Sequence, residues 1–163
     1  MQSRTGRDKQ VYTPSGSRVV VGVVPVLPDG RIVLISSSSC KTRWVLPKGG
    51  AEMDETRAES AEREAYEEGG LRGSLRGWLV DFDDDSKTIV SNGVTVAKSV
   101  FSFYIMDVSY MEEVWPESQN RDRAAFPLQE AIKLLSEEES STTKPLHLAL
   151  MAYIDSVKQQ ADN

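Results

Sequence analysis

From Arg18 to Leu27 the chain reads RVVVGVVPVL, apolar and β-branched without polar alternation, the pattern of a strand covered on both faces. Asp29-Gly30 is a turn signal and Arg31 to Ser36 (RIVLIS) repeats the apolar run, so the pair predicts a β-hairpin. A polar loop from Ser36 to Lys41 leads to a short strand at Trp44-Val45-Leu46, ended by Pro47 and Gly49-Gly50. The period then lengthens. Ala58, Ala61 and Ala65 recur at spacings of three and four, a small-residue packing face for a helix. Thr56 with Glu59 forms a capping box at its start, and Gly69-Gly70 supplies a left-handed stop.

Strands follow near Ser74–Asp83, Lys87–Val90 and Lys98–Val108, with another short one at Ala125-Phe126-Pro127. Leu128 to Ser136 and Pro145 to Gln159 read as amphipathic helices, separated by an acidic Ser/Thr-rich loop (SEEESSTT). Residues 1–17 are polar, a mobile arm or an early edge strand, and 160–163 form a tail. Strands, one central helix, strands and terminal helices predict a single domain over 18–159, a mixed sheet flanked by helices.

Bulk properties narrow the function. A length of 163 residues suits one domain with a real core, and the net charge of −6 argues against a basic nucleic-acid-binding surface while permitting a local basic pocket. The single Cys40 makes no internal disulfide, which fits a reducing compartment. No run approaches the ~18 apolar residues of a membrane span, and MQSRTGRDKQ lacks the apolar core of a signal peptide. A cytoplasmic location, with nuclear access, is expected.

One stretch is electrostatically unfavourable. Gly49 to Leu71 (GGAEMDETRAESAEREAYEEGGL) carries eight acidic side chains in 23 positions. Like charges at i, i+4 oppose helix formation, and acids in a last turn oppose the helix dipole by roughly 0.3–1 kcal/mol each. A bare acidic stretch would be a solvated face. Here Glu64 and Glu68 stack on one face, Glu67 lies beside them, and Arg63 stands four before Glu67. Oxygen ligands at that density suit Mg²⁺ or Mn²⁺.

The spacing then specifies more. Gly49, Glu55, Arg63-Glu64-Ala65, Glu67-Glu68 and Gly70-Leu71 match G-x5-E-x7-R-E-U-x-E-E-x-G-U (U aliphatic or small apolar) at every restricted position. That is the Nudix box, and the chain resembles Nudix hydrolases. The resemblance implies an α/β/α sandwich with a mixed sheet, and cleavage of a phosphoanhydride. It implies that Glu64, Glu68 and Glu67 hold metal, with Glu67 also the general base. Arg63 would orient the glutamates and Glu55 brace the loop before the helix. The backbone carbonyls of Lys48 and Gly49 are implied as further ligands, and Gly49 and Gly50 let backbone approach metal and phosphate.

The flank RWVLPKGG, from Arg43 to Gly50, is similar to the diphosphoinositol polyphosphate phosphohydrolase branch, fungal members above all, which also cleaves diadenosine polyphosphates. In that branch basic residues line the phosphate pocket. The matching positions are Arg18, Lys41, Arg43, Lys48, Lys98, Arg121, Arg123 and Lys144, with Lys41 replacing a basic residue whose place falls near Ser39. Ser86–Ala97 departs from relatives in length and composition. The implied substrates are small polyphosphates: inositol pyrophosphates first, diadenosine polyphosphates second. Dinucleoside polyphosphates, capped RNA and nucleoside diphosphate sugars are alternatives, as is a non-catalytic phospholigand-binding module. Some plant-pathogenic fungi secrete enzymes of this branch behind a signal peptide, so a removed leader would imply a secreted effector.

The remaining candidates have plainer readings. Asp81 and Asp83–Asp85 lack the Gly and Glu of a calcium loop and form an acidic turn. His147 is the only histidine and sits on the last helix, and Cys40 has no recognisable partner. Trp44 reads as core, whereas Trp115, beside Pro116 in a polar loop, is the better candidate to stack on a base.

Overall fold

The structure is a computed structural model and describes residues 3–137 and 144–163. Most of the acidic Ser/Thr-rich loop predicted before the last helix lies outside the described residues. The elements are β1 (Arg18–Val26), β2 (Ile32–Ser36), β3 (Trp44–Val45), β4 (Lys48–Gly50), α1 (Arg57–Gly69), β5 (Leu71–Asp83), β6 (Thr88–Ser91), β7 (Val94–Ala97), β8 (Ser99–Met111), β9 (Arg123–Phe126), α2 (Leu128–Ser136) and α3 (Lys144–Ala161).

The unbroken apolar run of β1 puts it at the centre of the sheet, whose order is β3-β2-β1-β8-β5, with β4 also on β1 and β9 on β2. β1 and β8 run parallel, from Arg18 opposite Ser99 to Val26 opposite Asp107, and their other neighbours are antiparallel, so the sheet is mixed. Alternation along β1 sends its side chains to two cores. Val19, Val21 and Val23 pack with Ala61 and Ala65 of α1. Val20, Val24 and Val26 pack with Ala131 and Leu135 of α2 and with Leu146, Ala149 and Leu150 of α3. Helices therefore cover both faces, the expected α/β/α sandwich.

Several boundaries differ from the sequence reading. Lys48–Gly50 is a strand, because Gly50, Gly49 and Lys48 pair with Val20, Val21 and Gly22 of β1. β5 begins at Leu71 and stays paired to β8 through three register shifts. The predicted strand at Lys87–Val90 is half of a separate ribbon, β6–β7, turning on Asn92 and Gly93 with φ of 51° and 76°. The arm before β1 is laid down as edge structure. Val11 N donates to Ala51 O, Met53 N to Lys9 O, and Val19 N to Val11 O.

α1 starts and stops as its sequence dictates. Thr56 Oγ1 accepts from Glu59 N at 3.1 Å and Glu59 Oε2 from Thr56 N at 2.9 Å. Gly70 closes the helix in the left-handed region. No basic residue occupies the last turn of α1, and the loop between β8 and β9, with the first residue of β9, answers instead. Glu117 N donates to Glu67 O, Trp115 Nε1 to Glu68 O, Arg123 Nη1 to Gly69 O, and Glu112 N to Gly70 O. Four carbonyls at the negative helix end thus receive four donors.

Arg123 also donates to Glu112 O and lies over the Trp115 ring, 4.3 Å from its centroid. Arg123→Met should lower stability by about 1–3 kcal/mol through loss of buried partners for two carbonyls, with little change in substrate affinity. Urea unfolding beside steady-state kinetics checks this.

Candidate active site

The β1–β4 ladder brings Lys48, Gly49 and Gly50 against α1. A Cβ built on Gly49 would lie 2.2 Å from Glu64 Cδ, so only glycine admits that carboxylate so close to the strand. Arg63 links the parts. Its Nε lies 3.0 Å from both Glu55 oxygens, Nη1 reaches Glu64 Oε1 at 2.8 Å and Glu67 Oε2 at 3.4 Å, and Nη2 donates to Gly50 O. Glu55 accepts a further bond from Ser60 Oγ at 2.7 Å, whose hydroxyl in turn accepts from Glu52 N. The loop before α1 is thereby tied to the helix.

Glu64, Glu67 and Glu68 are all buried. Glu68 Oε2 accepts from Lys48 N at 3.0 Å, and Oε1 accepts from Arg121 Nη2 at 2.9 Å. Burial pushes its pKa up to about 8, against the pull of Arg121. Burial also raises Glu64 and Glu67, opposed by Arg63, and the charge of Glu117 adds to both rises. Each carboxylate is turned onto a protein donor, and among the described residues no three His, Cys, Asp or Glu side chains are grouped to enclose a metal ion as placed. The donor set itself fits a hard divalent cation: three buried carboxylates that resist ionising without added positive charge, beside a backbone kept clear by Gly49.

These carboxylates share a cavity of about 530 Å³ with a concentration of cations. Arg18, Lys48 and Lys98, together with Gly49 and Gly50, line it. Arg4, Arg7 and Lys87 line it as well. Arg7 comes from the arm, and Lys87 is held beside the site by the bond from Lys98 N to Lys87 O. Neither carried any motif. Arg7, Arg18, Lys87 and Lys98 make no ion pair with a described carboxylate. Burial and the neighbouring Arg7 charge lower the Arg18 pKa, and burial lowers that of Lys48.

The other basic positions fall elsewhere. Lys41 and Arg121 line an adjoining, larger cavity of about 930 Å³ with Tyr66, Val114, Trp115 and Pro116, and Glu117 borders both spaces. The chemistry marks the smaller cavity as the site, because the buried carboxylates line it. Arg121 still reaches the site through Glu68, its Nε held by Glu117 Oε2 at 2.6 Å. Arg43 lines neither cavity; its backbone closes the turn from Ser37 to Cys40. Lys144 borders a separate depression beside Asp83–Asp85. Arg123 lines none of these spaces, being committed to helix-end carbonyls.

Trp115, expected to stack on a base, has its N–H on Glu68 O and one face under Arg123. Trp44 meets Phe126 edge-on at 5.0 Å within the core, as expected. Asp84 is a turn residue, accepting from Ser86 N.

Glu68 generates a pH prediction for metal-free protein. Its folded pKa of about 8 exceeds the ordinary 4.5, so the folded state keeps a proton that the unfolded chain gives up. The corresponding stability is fully present below about pH 4.5 and is lost as pH rises through about 8. Urea midpoints should fall across that window, and Glu68→Gln should flatten the fall.

Comparison with known proteins agrees with the geometry. The NUDIX domain family profile matches residues 16–147. Nudix hydrolase 21, chloroplastic, of Arabidopsis thaliana is 39% identical over 140 residues, covering 81% of this chain and 67% of that protein. Diphosphoinositol polyphosphate phosphohydrolase 2 of Rattus norvegicus is 31% identical over 121 residues, covering 73% and 59%. Among solved structures, a NUDIX hydrolase from Nitrosomonas europaea superimposes with a TM-score of 0.65 at 18% identity, covering 86% of this chain and 90% of that one, a likeness of fold. The complete box running from β4 through α1 to the start of β5, the sandwich that holds it and the match over most of the chain place this protein in the Nudix hydrolase family.

Proposed function

We propose that the protein is a Mg²⁺-dependent hydrolase, also served by Mn²⁺, that removes the β-phosphate of diphosphoinositol polyphosphates, with diadenosine polyphosphates as secondary substrates. The observation that carries the substrate class is the convergence of Arg7, Arg18, Lys48, Lys87 and Lys98 on the carboxylate cavity of a protein whose net charge is −6. A highly phosphorylated ring needs several cations at once, and Arg7, Arg18, Lys87 and Lys98, unpaired with any described carboxylate, bind phosphate without first breaking such an ion pair. The name of the rat relative points to the same substrate class. The apolar wall of Tyr66, Val114 and Pro116 in the adjoining cavity leaves room for a base and supports the secondary activity.

Glu64 and Glu68, with Glu67 and the carbonyls of Lys48 and Gly49, would hold the metal, which neutralises phosphate charge and acidifies bound water when present. Glu67 accepts the proton of the attacking water. Arg63 holds Glu64 and Glu67 in place and is itself aligned by Glu55. Water oxygen bonds to the β-phosphorus, the anhydride P–O bond breaks, and orthophosphate leaves an inositol polyphosphate behind. The cations of the cavity orient the ring phosphates so that the anhydride faces Glu67. The hydrolase domain is proposed as residues 18–159, with Arg7 supplied from the arm before it, acting in the cytoplasm and nucleus. No helix among the described residues is long and apolar enough to cross a membrane.

Glu67→Gln should lower kcat roughly 10²- to 10⁴-fold with Mg²⁺ present; wild-type turnover on every pyrophosphate offered would remove Glu67 as the base. Lys87→Ala and Lys98→Ala should each raise KM for diphosphoinositol pentakisphosphate about tenfold and for diadenosine hexaphosphate far less. Side-by-side turnover of the two compounds measures this. Equal losses on both would favour a dinucleoside polyphosphate hydrolase.

A further inference from the structure

The arm before β1 does more than complete an edge. The Arg4 backbone amide donates to Glu67 Oε1 at 3.2 Å. Its guanidinium binds Glu52, lies 3.0 Å from Asp54 Oδ1 and pairs with Glu55 at 3.3 Å. Arg63 Nη1 stands 3.4 Å from the other oxygen of Glu67. Both oxygens of Glu67 therefore face protein donors, and only 3% of the residue is exposed. A group that must take a proton from water presents almost no open surface while residues 3–5 lie here. The next residue, Gly6, has a φ of +90° with open space where a Cβ would stand. Beyond it the chain is anchored, with Gln10 bridged to Glu52 and Met53 N bonded to Lys9 O.

We propose that residues 3–5 form a latch over the catalytic carboxylates, with Arg4 as its bolt and Gly6 as its hinge. The latch rests on the role of Glu67 proposed above. Arg4 is itself half-exposed and pairs with half-exposed Asp54 and with the largely buried Glu52 and Glu55, so the bolt is released only by a competing charge. A divalent cation among Glu64, Glu67 and Glu68 repels the guanidinium, and a polyanion offers it phosphate in place of Glu52, Asp54 and Glu55. Arg7, on the anchored side of the hinge, stays at the cavity. The protein thus rests closed and opens when metal and polyanion arrive together.

The test compares the full chain with Arg4→Ala. Mn²⁺ affinity by calorimetry should rise about three- to tenfold in the variant, since a closed state no longer competes with the binding-competent one. In the unaltered chain, tryptic cleavage after Arg4, followed by mass spectrometry, should accelerate severalfold with Mn²⁺ plus inositol hexakisphosphate. Turnover of Arg4→Ala at low Mg²⁺ should exceed that of the parent. Unchanged Mn²⁺ affinity and unchanged cleavage would overturn the latch. A fall in kcat for Arg4→Ala at saturating Mg²⁺ would also overturn it, because Arg4 would then position Glu67 rather than cover it. If neither protein turned over any pyrophosphate while the Mn²⁺ and cleavage responses held, the latch would stand and the substrate assignment would fall.

Discussion

Carboxylates buried on the last turns of a helix meet two penalties, lost hydration and the negative end of the dipole, and this chain answers them with Arg63 of the helix itself and with donors from outside it. The Arg63 guanidinium, although on α1, is drawn back onto Glu55 and Gly50 and so ties strand, loop and helix at one point. Arg121 reaches Glu68 from the loop after β8, and Arg123, Trp115 and two backbone amides take the helix-end carbonyls. The position of that loop, and with it the division between the two cavities, follows from the need to neutralise this helix end.

Elements whose own residues carry the signal were legible from sequence. β1 and β2 announce themselves by unbroken β-branched runs, and α1 by a capping box and alanine spacing that the structure reproduces. β4 was illegible because Lys48-Gly49-Gly50 has no strand propensity; its pairing is imposed by β1, an edge it can reach only once the fold exists. The β6–β7 ribbon turns on Asn92-Gly93, a hairpin signal that lies just past the strand predicted at Lys87–Val90.

The box on α1 was readable because its spacing is local, whereas the basic residues around it are gathered from distant segments. A lysine's sequence neighbours do not say which cavity it will face. Arg18 and Lys98 sit at the ends of paired parallel strands and so meet at the carboxylate cavity. Arg123, whose local sequence pointed to the pocket, binds instead at Gly69 and Glu112, a use that depends on where a loop closes. Arg7 and Glu117 lie in polar stretches that give no periodicity at all. The net acidity of the chain hides a cavity in which Arg4, Arg7, Arg18, Lys48, Lys87 and Lys98 stand beside the carboxylates.

The walls of that cavity differ in how freely they can change. One side is the loop after β8, whose backbone and side chains are spent on α1, so altering its length would unseat the helix end. The other is the β6–β7 ribbon, paired only to itself within the sheet topology yet contributing Lys87 and Ile89 to the lining. Lengthening or trimming that ribbon leaves the carboxylate scaffold intact while resizing the mouth. Within such a fold, diversification toward larger or smaller polyphosphates has an inexpensive route through this hairpin and an obstructed one through the loop opposite.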